Sequence, residues 1–304
     1  NLLREIKFHV EQEKENILLC GICKGNAIKK HIEGKDHNAT EEIFSVVECE
    51  DCGYRFTSPR PKEKFIGKYY KSKNYISHNS TKKGLINKIY HIVRKYQFYK
   101  KNKLIEKHSK TGGKKILDIG CGTGDFLNYM QFKKWEIDGI EKDEGARKIA
   151  SGKNNISINC DIADLKEKNK YDVITMWHVL EHIYDTQKYI EKICEIVKKE
   201  GIIVIAVPNS NSYDATKYKE NWVAYDLPIH VSHFRKNDIQ NIANKNNLKL
   251  KHIEPMFFDA YYISMLSSRK KGENVIKGIW NGFKSNMKAK KEKEYSSLMY
   301  FLYK

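Results

Sequence analysis

The stretch "KKILDIGCGTGDFL", Lys114–Leu127, decides how the chain is read. Lys115 to Ile119 form a short apolar run of strand character. Gly120, Gly122 and Gly124 follow at once, and "DFLNYMQF" from Asp125 carries helical periodicity. A strand that turns into a helix through glycines brings backbone amides close to a ligand, because no Cβ stands in the way. The spacing is not the dinucleotide fingerprint G-x-G-x-x-G: the third glycine comes one residue early, and Asp118 stands two residues before the first.

Working outward, "WEIDGIEKD" reads as a second strand ending in Glu141, "ISINCDIADL" as a third carrying Asp161, and "YDVITMWHVLEHI" as a fourth with its exit loop. "DTQKYIEKICEIVKKEG" reads as an amphipathic helix with Ile190, Ile193, Cys194 and Val197 on one face, ended by Gly201. "GIIVIAVPN" is a buried fifth strand, and "LKLKHIEPM" and "SSLMYFLYK" are the sixth and seventh. Alternating strands and helices predict an α/β, doubly wound sheet. Ligands in such sheets sit at the carboxyl ends of the strands, where Gly120, Glu141, Asp161, Met176 to His178 and Pro208 all fall.

These elements, from about Lys100 to Lys304, resemble the class I S-adenosylmethionine-dependent methyltransferases, with "LDIGCGTGDF" as the leading motif. The resemblance implies a Rossmann-like seven-stranded sheet, its seventh strand antiparallel, over residues 111–304, with an insertion at about 257–294. It implies S-adenosyl-L-methionine as cofactor. The residues it assigns to that cofactor are Asp118, Gly120, Cys121, Gly122, Gly124, Glu141 for the ribose hydroxyls, Lys142, Asp161 for the adenine amine, Ile162, Met176, Trp177 and His178.

"HVLEH" is similar to a subgroup containing the ubiquinone-biosynthesis O-methyltransferases and other small-molecule enzymes. Methyl transfer to oxygen requires a lone pair aimed at the methyl carbon and a base for the hydroxyl proton. His178, Glu181 and His182 are candidates. So are His230 and His233 of "AYDLPIHVSHF", a segment whose subgroup counterpart reads W…D-x-P-x-H-x-x-H-F, with Arg where Ile229 stands. Trp222 is the leading aromatic. In part of the subgroup the segment matching "HVLEH" begins with an acid linked to a divalent metal; here that position is His178. Pro228 interrupts any helix between Asp226 and His230, which disfavours an Asp226–His230–His233 metal triad. Either His230 is the base, or Asp226 and the histidines shape the loop.

The chain lacks the Asn/Asp-Pro-Pro-Tyr loop of base N-methylation, and "AVPNSNSY" offers no cysteine for pyrimidine C5 chemistry. Cys121, Cys160 and Cys194 read as small core or loop residues. The expected acceptor is therefore oxygen, a hydroxyl or carboxylate, on a small molecule of hydrophobic or lipid-linked kind. The alternatives are an RNA methyltransferase using the basic surface, and a sugar C-methyltransferase. Enzymes of the latter kind share an N-terminal zinc module but add a C-terminal domain for which this chain leaves no room.

Ahead of the sheet, Cys20 and Cys23 in "LLCGICKG" and Cys49 and Cys52 in "VECEDCGYRF" make two C-x-x-C turns. Two such turns complete a tetrahedral thiolate site for Zn2+ with no open position, hence a structural one, in a ribbon-like module over residues 1–60. Chelation is expected to unfold residues 17–60. Residues 61–110 read as a helical cap, with Ile89, Ile92, Val93, Tyr96 and Leu104 near helical spacing. The insertion, aromatic-rich in "FFDAYYISML" and basic in "GIWNGFKSNMKAKKEKE", would cover a hydrophobic acceptor, touch anionic lipid, or pack on the zinc module. The net charge of +18 comes from lysines spread without a long block, which argues for compositional bias over a nucleic-acid tract. No long apolar span or leader-like segment is present, and paired rather than dispersed cysteines suit a reducing cytoplasm.

Overall fold

The structure, a computed structural model, describes residues 13–70 and 85–304, with the backbone alone for residues 85–91. Residues 1–12 of the expected zinc module and the side chain of Ile89 lie outside the described residues.

Lys14–Glu15 pairs with Arg60–Pro61, and between them the chain forms three antiparallel strands, β1 (Ile28–Lys35), β2 (Ile43–Cys49) and β3 (Arg55–Thr57). The turn between β1 and β2 is organised by Asp36, whose carboxylate accepts hydrogen bonds from the amides of Asn38, Ala39 and Thr40. Helix α1 (Leu85–His108) leads into the main sheet, and helices α2 (Asp125–Phe132) and α3 (Glu144–Asn154) follow its first two strands. That sheet consists of β4 (Lys115–Ile119), β5 (Glu136–Ile140), β6 (Tyr171–Trp177), β7 (Val197–Pro208), β9 (Lys249–Pro255) and β10 (Ser297–Tyr303), in the order β9-β10-β7-β6-β4-β5. The β5–β4–β6–β7 pairs are parallel, and β10 runs antiparallel to both β7 and β9. Its central strands are buried almost throughout, as parallel strands covered on both faces must be.

Two expectations change. Among the described residues the main sheet has six strands, not seven. "ISINCDIADL" contributes one parallel bridge, Asn159 to Ile140, and then a 3-10 turn at Ile162–Asp164. Asp161 and Asp164 bind local backbone amides there, and that local bonding competes with a ladder. The helix expected to run to Gly201 is α4 (Thr186–Ile196) and stops five residues earlier. Val197 pairs with Tyr171 and is buried as part of β7, and Ile196, rather than Cys194, completes the helix's buried face.

Strand β8 (Ser232–His233) does not join the main sheet. It adds to the N-terminal sheet beside β3, Ser232 opposite Phe56 and His233 opposite Arg55. Cys20, Cys49, Tyr54 and Phe56 accordingly share one apolar cluster with Phe234, Ile239 and Ile242 of the loop and of helix α6 (Lys236–Lys245). Preceding β8 is the short helix α5 (Tyr213–Tyr218). The insertion is a helical hairpin, α7 (Phe257–Lys270) and α8 (Val275–Glu292), set between β9 and β10. Ile263 of α7 joins Phe44 and Val46 of the N-terminal sheet in a third cluster around Trp222, whereas α8 packs on α7 and α5.

Candidate active site

At the end of β4 the chain turns sharply. Gly120 has φ +71°, and a Cβ there would come within 2.4 Å of Val179. Gly122 also has positive φ, and nothing lies within 4 Å of its Cβ direction, so that side of the turn borders open space. That space suits a ligand lying against the turn. Glu141, at the end of β5, accepts from the Gly122 amide at 2.7 Å and from the Asp143 amide at 2.9 Å. Each carboxylate oxygen keeps a second lone pair for a ligand hydroxyl. Asp118 is buried, with one oxygen taken by the Thr175 hydroxyl at 2.6 Å. Burial drives its pKa up to about 7.

The other expected cofactor residues are distributed as follows. Cys121, Ile162 and Met176 are buried, and Trp177 is half-buried with its indole nitrogen unpartnered. Asp161 is half-buried and uses one oxygen to cap Ile162–Asp164. Lys142 is exposed and pairs with Glu63 at 3.0 Å. The fold therefore brings Asp118, Gly122, Glu141 and Trp177 around the turn, and that arrangement fits an amino-acid-bearing nucleoside. Lys142 points away into a surface ion pair.

Two residues that the sequence reading missed complete the charge pattern. Lys101 of α1 sits 3.8 Å from the centre of the Trp177 ring, and burial lowers its pKa to about 8 although Asp118 and Asp259 hold it up. Asp259 of α7 contacts His178 Nε2 at 3.1 Å, and His178 Nδ1 lies 3.4 Å from Glu181. Burial opposes a charge on His178, yet the two flanking carboxylates outweigh it and lift its pKa to about 10. His178 is thus a fixed imidazolium at neutral pH and no base. Asp118, Lys101, Asp259, His178 and Glu181 alternate in sign from the glycine turn to the exit of β6. No local motif marks Lys101 or Asp259, because each arrives from a separate helix.

Beyond Glu181 lies the loop of residues 224–234. His230 Nδ1 donates to the Ala224 carbonyl at 2.9 Å, which leaves Nε2 as the unprotonated ring nitrogen. The His182 ring stands edge-on to it, centroids 4.7 Å apart, and His182 Nδ1 meets the Tyr70 hydroxyl at 3.1 Å. Burial pushes His182 down to about 4 and lowers His230 as well, so both rings are neutral. One donor atom each from Glu181, His182 and His230 lie within 4.8 Å of one another. Such a set could hold a cation, but the His178 imidazolium already balances Glu181. His233 is directed elsewhere. The Thr57 hydroxyl donates to the His230 carbonyl at 2.7 Å and so accepts from His233 Nε2 at 3.0 Å. Asp226, its pKa raised to about 6 by burial, accepts from Asn38 at 2.8 Å. The three loop residues therefore face three different partners and form no metal triad.

In the N-terminal sheet, Cys20 and Cys52 sulfurs are 3.5 Å apart, as are those of Cys23 and Cys49, and all four lie within 4.8 Å of one another. This is too long for a disulfide, whose S–S bond is about 2.05 Å. It is close to the edge of a tetrahedron with bonds of about 2.3 Å.

The methyltransferase-domain family model matches residues 93–253, more than half of the chain. A ubiquinone biosynthesis O-methyltransferase from Pelagibacter ubique is 32% identical over 157 residues, covering 48% of this chain and 65% of the relative. One from Rickettsia prowazekii is 25% identical over 200 residues, covering 60% and 78%. The crystal structure of a magnesium protoporphyrin IX methyltransferase from Synechocystis, with bound S-adenosylhomocysteine, superposes with a TM-score of 0.53 at 13% identity. It covers 80% of this chain and 100% of the other.

Proposed function

Because this chain belongs to the methyltransferase-domain family, and is an S-adenosylmethionine-dependent enzyme of the class I fold, we propose that it methylates an oxygen of a small molecule, with His230 as the base. The observation that carries this reading is the His230 ring. Its Nδ1–H is held by the Ala224 carbonyl, so a neutral Nε2 stands ready in a dry cluster with Glu181 and His182. The named activity of the curated relatives agrees with oxygen as the acceptor atom.

S-adenosylmethionine, when bound, supplies an electrophilic methyl group on a sulfonium. Asp118 is suited to its ammonium, Lys101 to its carboxylate and Glu141 to its ribose hydroxyls. With the methyl group supplied by the cofactor, His230 Nε2 would take the proton that the acceptor hydroxyl gives up. Glu181, 1% exposed and already paired with His178, would stabilise the imidazolium formed beside it. The four cysteines are proposed to hold a structural Zn2+.

Calorimetry tests the cofactor assignment. Glu141→Ala should weaken S-adenosylmethionine binding about 10- to 100-fold, the worth of charge-assisted hydrogen bonds. Unchanged affinity would remove Glu141 from the site. A labelled-methyl screen over hydroxylated aromatic and lipid-like compounds tests the acceptor class. Label found only in RNA or on carbon would overturn the oxygen reading.

A further inference from the structure

The α7–α8 hairpin is inside out. An ordinary surface helix turns its large apolar side chains to the core. The buried face of α8 instead consists of Gly278, Asn281, Gly282, Ser285 and Ala289. Ile276 is 78% exposed, Trp280 55%, Phe283 42% and Met287 49%. Those four recur at steps of four, three and four residues, so they form one ridge opposite the small face.

The orientation is specified by its contacts. A Cβ on Gly278 would lie 2.5 Å from the Met265 Cα, and one on Gly282 would lie 2.6 Å from the Tyr261 Cα. Helix α7 answers with Ala260 and Ser264 against these glycines, and buries Ile263, Ser267 and Ser268 beside them. Two buried hydrogen bonds set the rotation of α8: Asn281 donates to the Tyr218 hydroxyl at 2.8 Å, and Ser285 donates to Asp214 at 2.8 Å. The apolar ridge therefore cannot roll inward. Helices joined through small residues with their bulk outward are favoured where the surroundings are themselves apolar.

Charge selects among apolar surroundings. Helix α8 carries Lys277, Lys284, Lys288, Lys290 and Lys291, all exposed, and a single acid, Glu292. Among the described residues Lys277 pairs with Glu273 and Lys288 lies over Tyr213, while Lys284, Lys290 and Lys291 make no ion pair. A second copy of this chain, at +18, would set like charge against like. A lipid surface bearing anionic headgroups would satisfy both the ridge and its lysines. No described helix is long and apolar enough to cross a membrane, so the contact would be interfacial.

We propose that α8 is a membrane-docking surface that lies in the interface of an anionic bilayer, with Ile276, Trp280, Phe283 and Met287 among the acyl chains and the flanking lysines at the headgroups. The test is co-sedimentation of the full chain with phosphatidylcholine vesicles, with and without about 30% phosphatidylglycerol. The expected result is partitioning at least about tenfold stronger on the anionic vesicles, reduced by added salt. The Ile276→Ser/Trp280→Ser/Phe283→Ser variant should lose at least about tenfold of that partitioning. Lys284→Glu/Lys291→Glu should lose the preference for anionic lipid. The replaced side chains are exposed, so both variants should keep the wild-type circular dichroism and unfolding midpoint. Absence of vesicle binding, equal binding to neutral vesicles, or undiminished binding by the triple variant overturns the proposal. So does a concentration-dependent dimer, seen in sedimentation equilibrium without vesicle binding and abolished by the triple variant, which would assign the ridge to a second copy.

Discussion

At the scale of single residues, the site is governed by which groups share a desolvated space. Asp118 and Lys101 are pushed toward each other in pKa, the acid upward and the amine downward, by the same burial. A cofactor carrying both an ammonium and a carboxylate binds best when Asp118 is ionised and Lys101 protonated. Affinity for S-adenosylmethionine, measured by calorimetry against pH, should therefore peak between about 7 and about 8 and fall on both sides. Asp118→Asn should flatten the acid limb. The sign for folding is opposite. An acid whose folded pKa is raised costs stability as pH climbs from its unfolded value toward 7, so Asp118→Asn should make the apo fold less pH-sensitive in that window. His230 is tested differently: His230→Gln keeps a donor for the Ala224 carbonyl but offers no base. Turnover should drop about 10²- to 10⁴-fold with cofactor affinity unchanged, and a variant of wild-type turnover would remove His230 from the chemistry.

At the scale of elements, small residues decide where helices sit. Gly282→Ala places a methyl group against the α7 backbone, a contact that side-chain repacking cannot relieve. The hairpin should separate, and thermal or urea unfolding should register a loss of about 1–3 kcal/mol. Through Asp259 the same substitution should loosen His178, which measures the coupling of the insertion to the site. The pattern of strand and helix was legible where hydrophobic periodicity was strong, from β4 to β10. It misled where local side-chain bonding competed with the ladder, as at Asp161. It also misled at Val197, where pairing with Tyr171 drew the chain into a strand.

At the scale of the whole molecule, the cysteine module and the loop of residues 224–234 are one structure. Strand β8 belongs to the N-terminal sheet, the Tyr54 hydroxyl donates to Ser232 at 2.5 Å, and Arg235 donates to the Cys52 carbonyl at 2.8 Å. Loss of the proposed Zn2+ should therefore reach beyond residues 17–60. After chelation, hydrogen exchange should rise in Ala224–Phe234 as well as in β1–β3, and methyl transfer should fall, while amides of β4 and β6 stay protected. Loss of protection confined to the cysteine turns would show that the loop stands without them.

By itself the sequence determined the α/β sheet, the glycine turn with Asp118 and Glu141, and the four-thiol cluster, because each is written in short-range spacing: apolar runs, glycines at a strand end, paired cysteines. Only the tertiary structure decided that His178 is clamped between Asp259 and Glu181, that His230 stands beside Glu181 and His182 while His233 bonds Thr57, and that Lys101 lies over Trp177. It also decided that the ridge of α8 looks outward. Those outcomes depend on burial and on partners brought in from other elements of the chain, and the balance of desolvation against pairing exists only once the elements are packed.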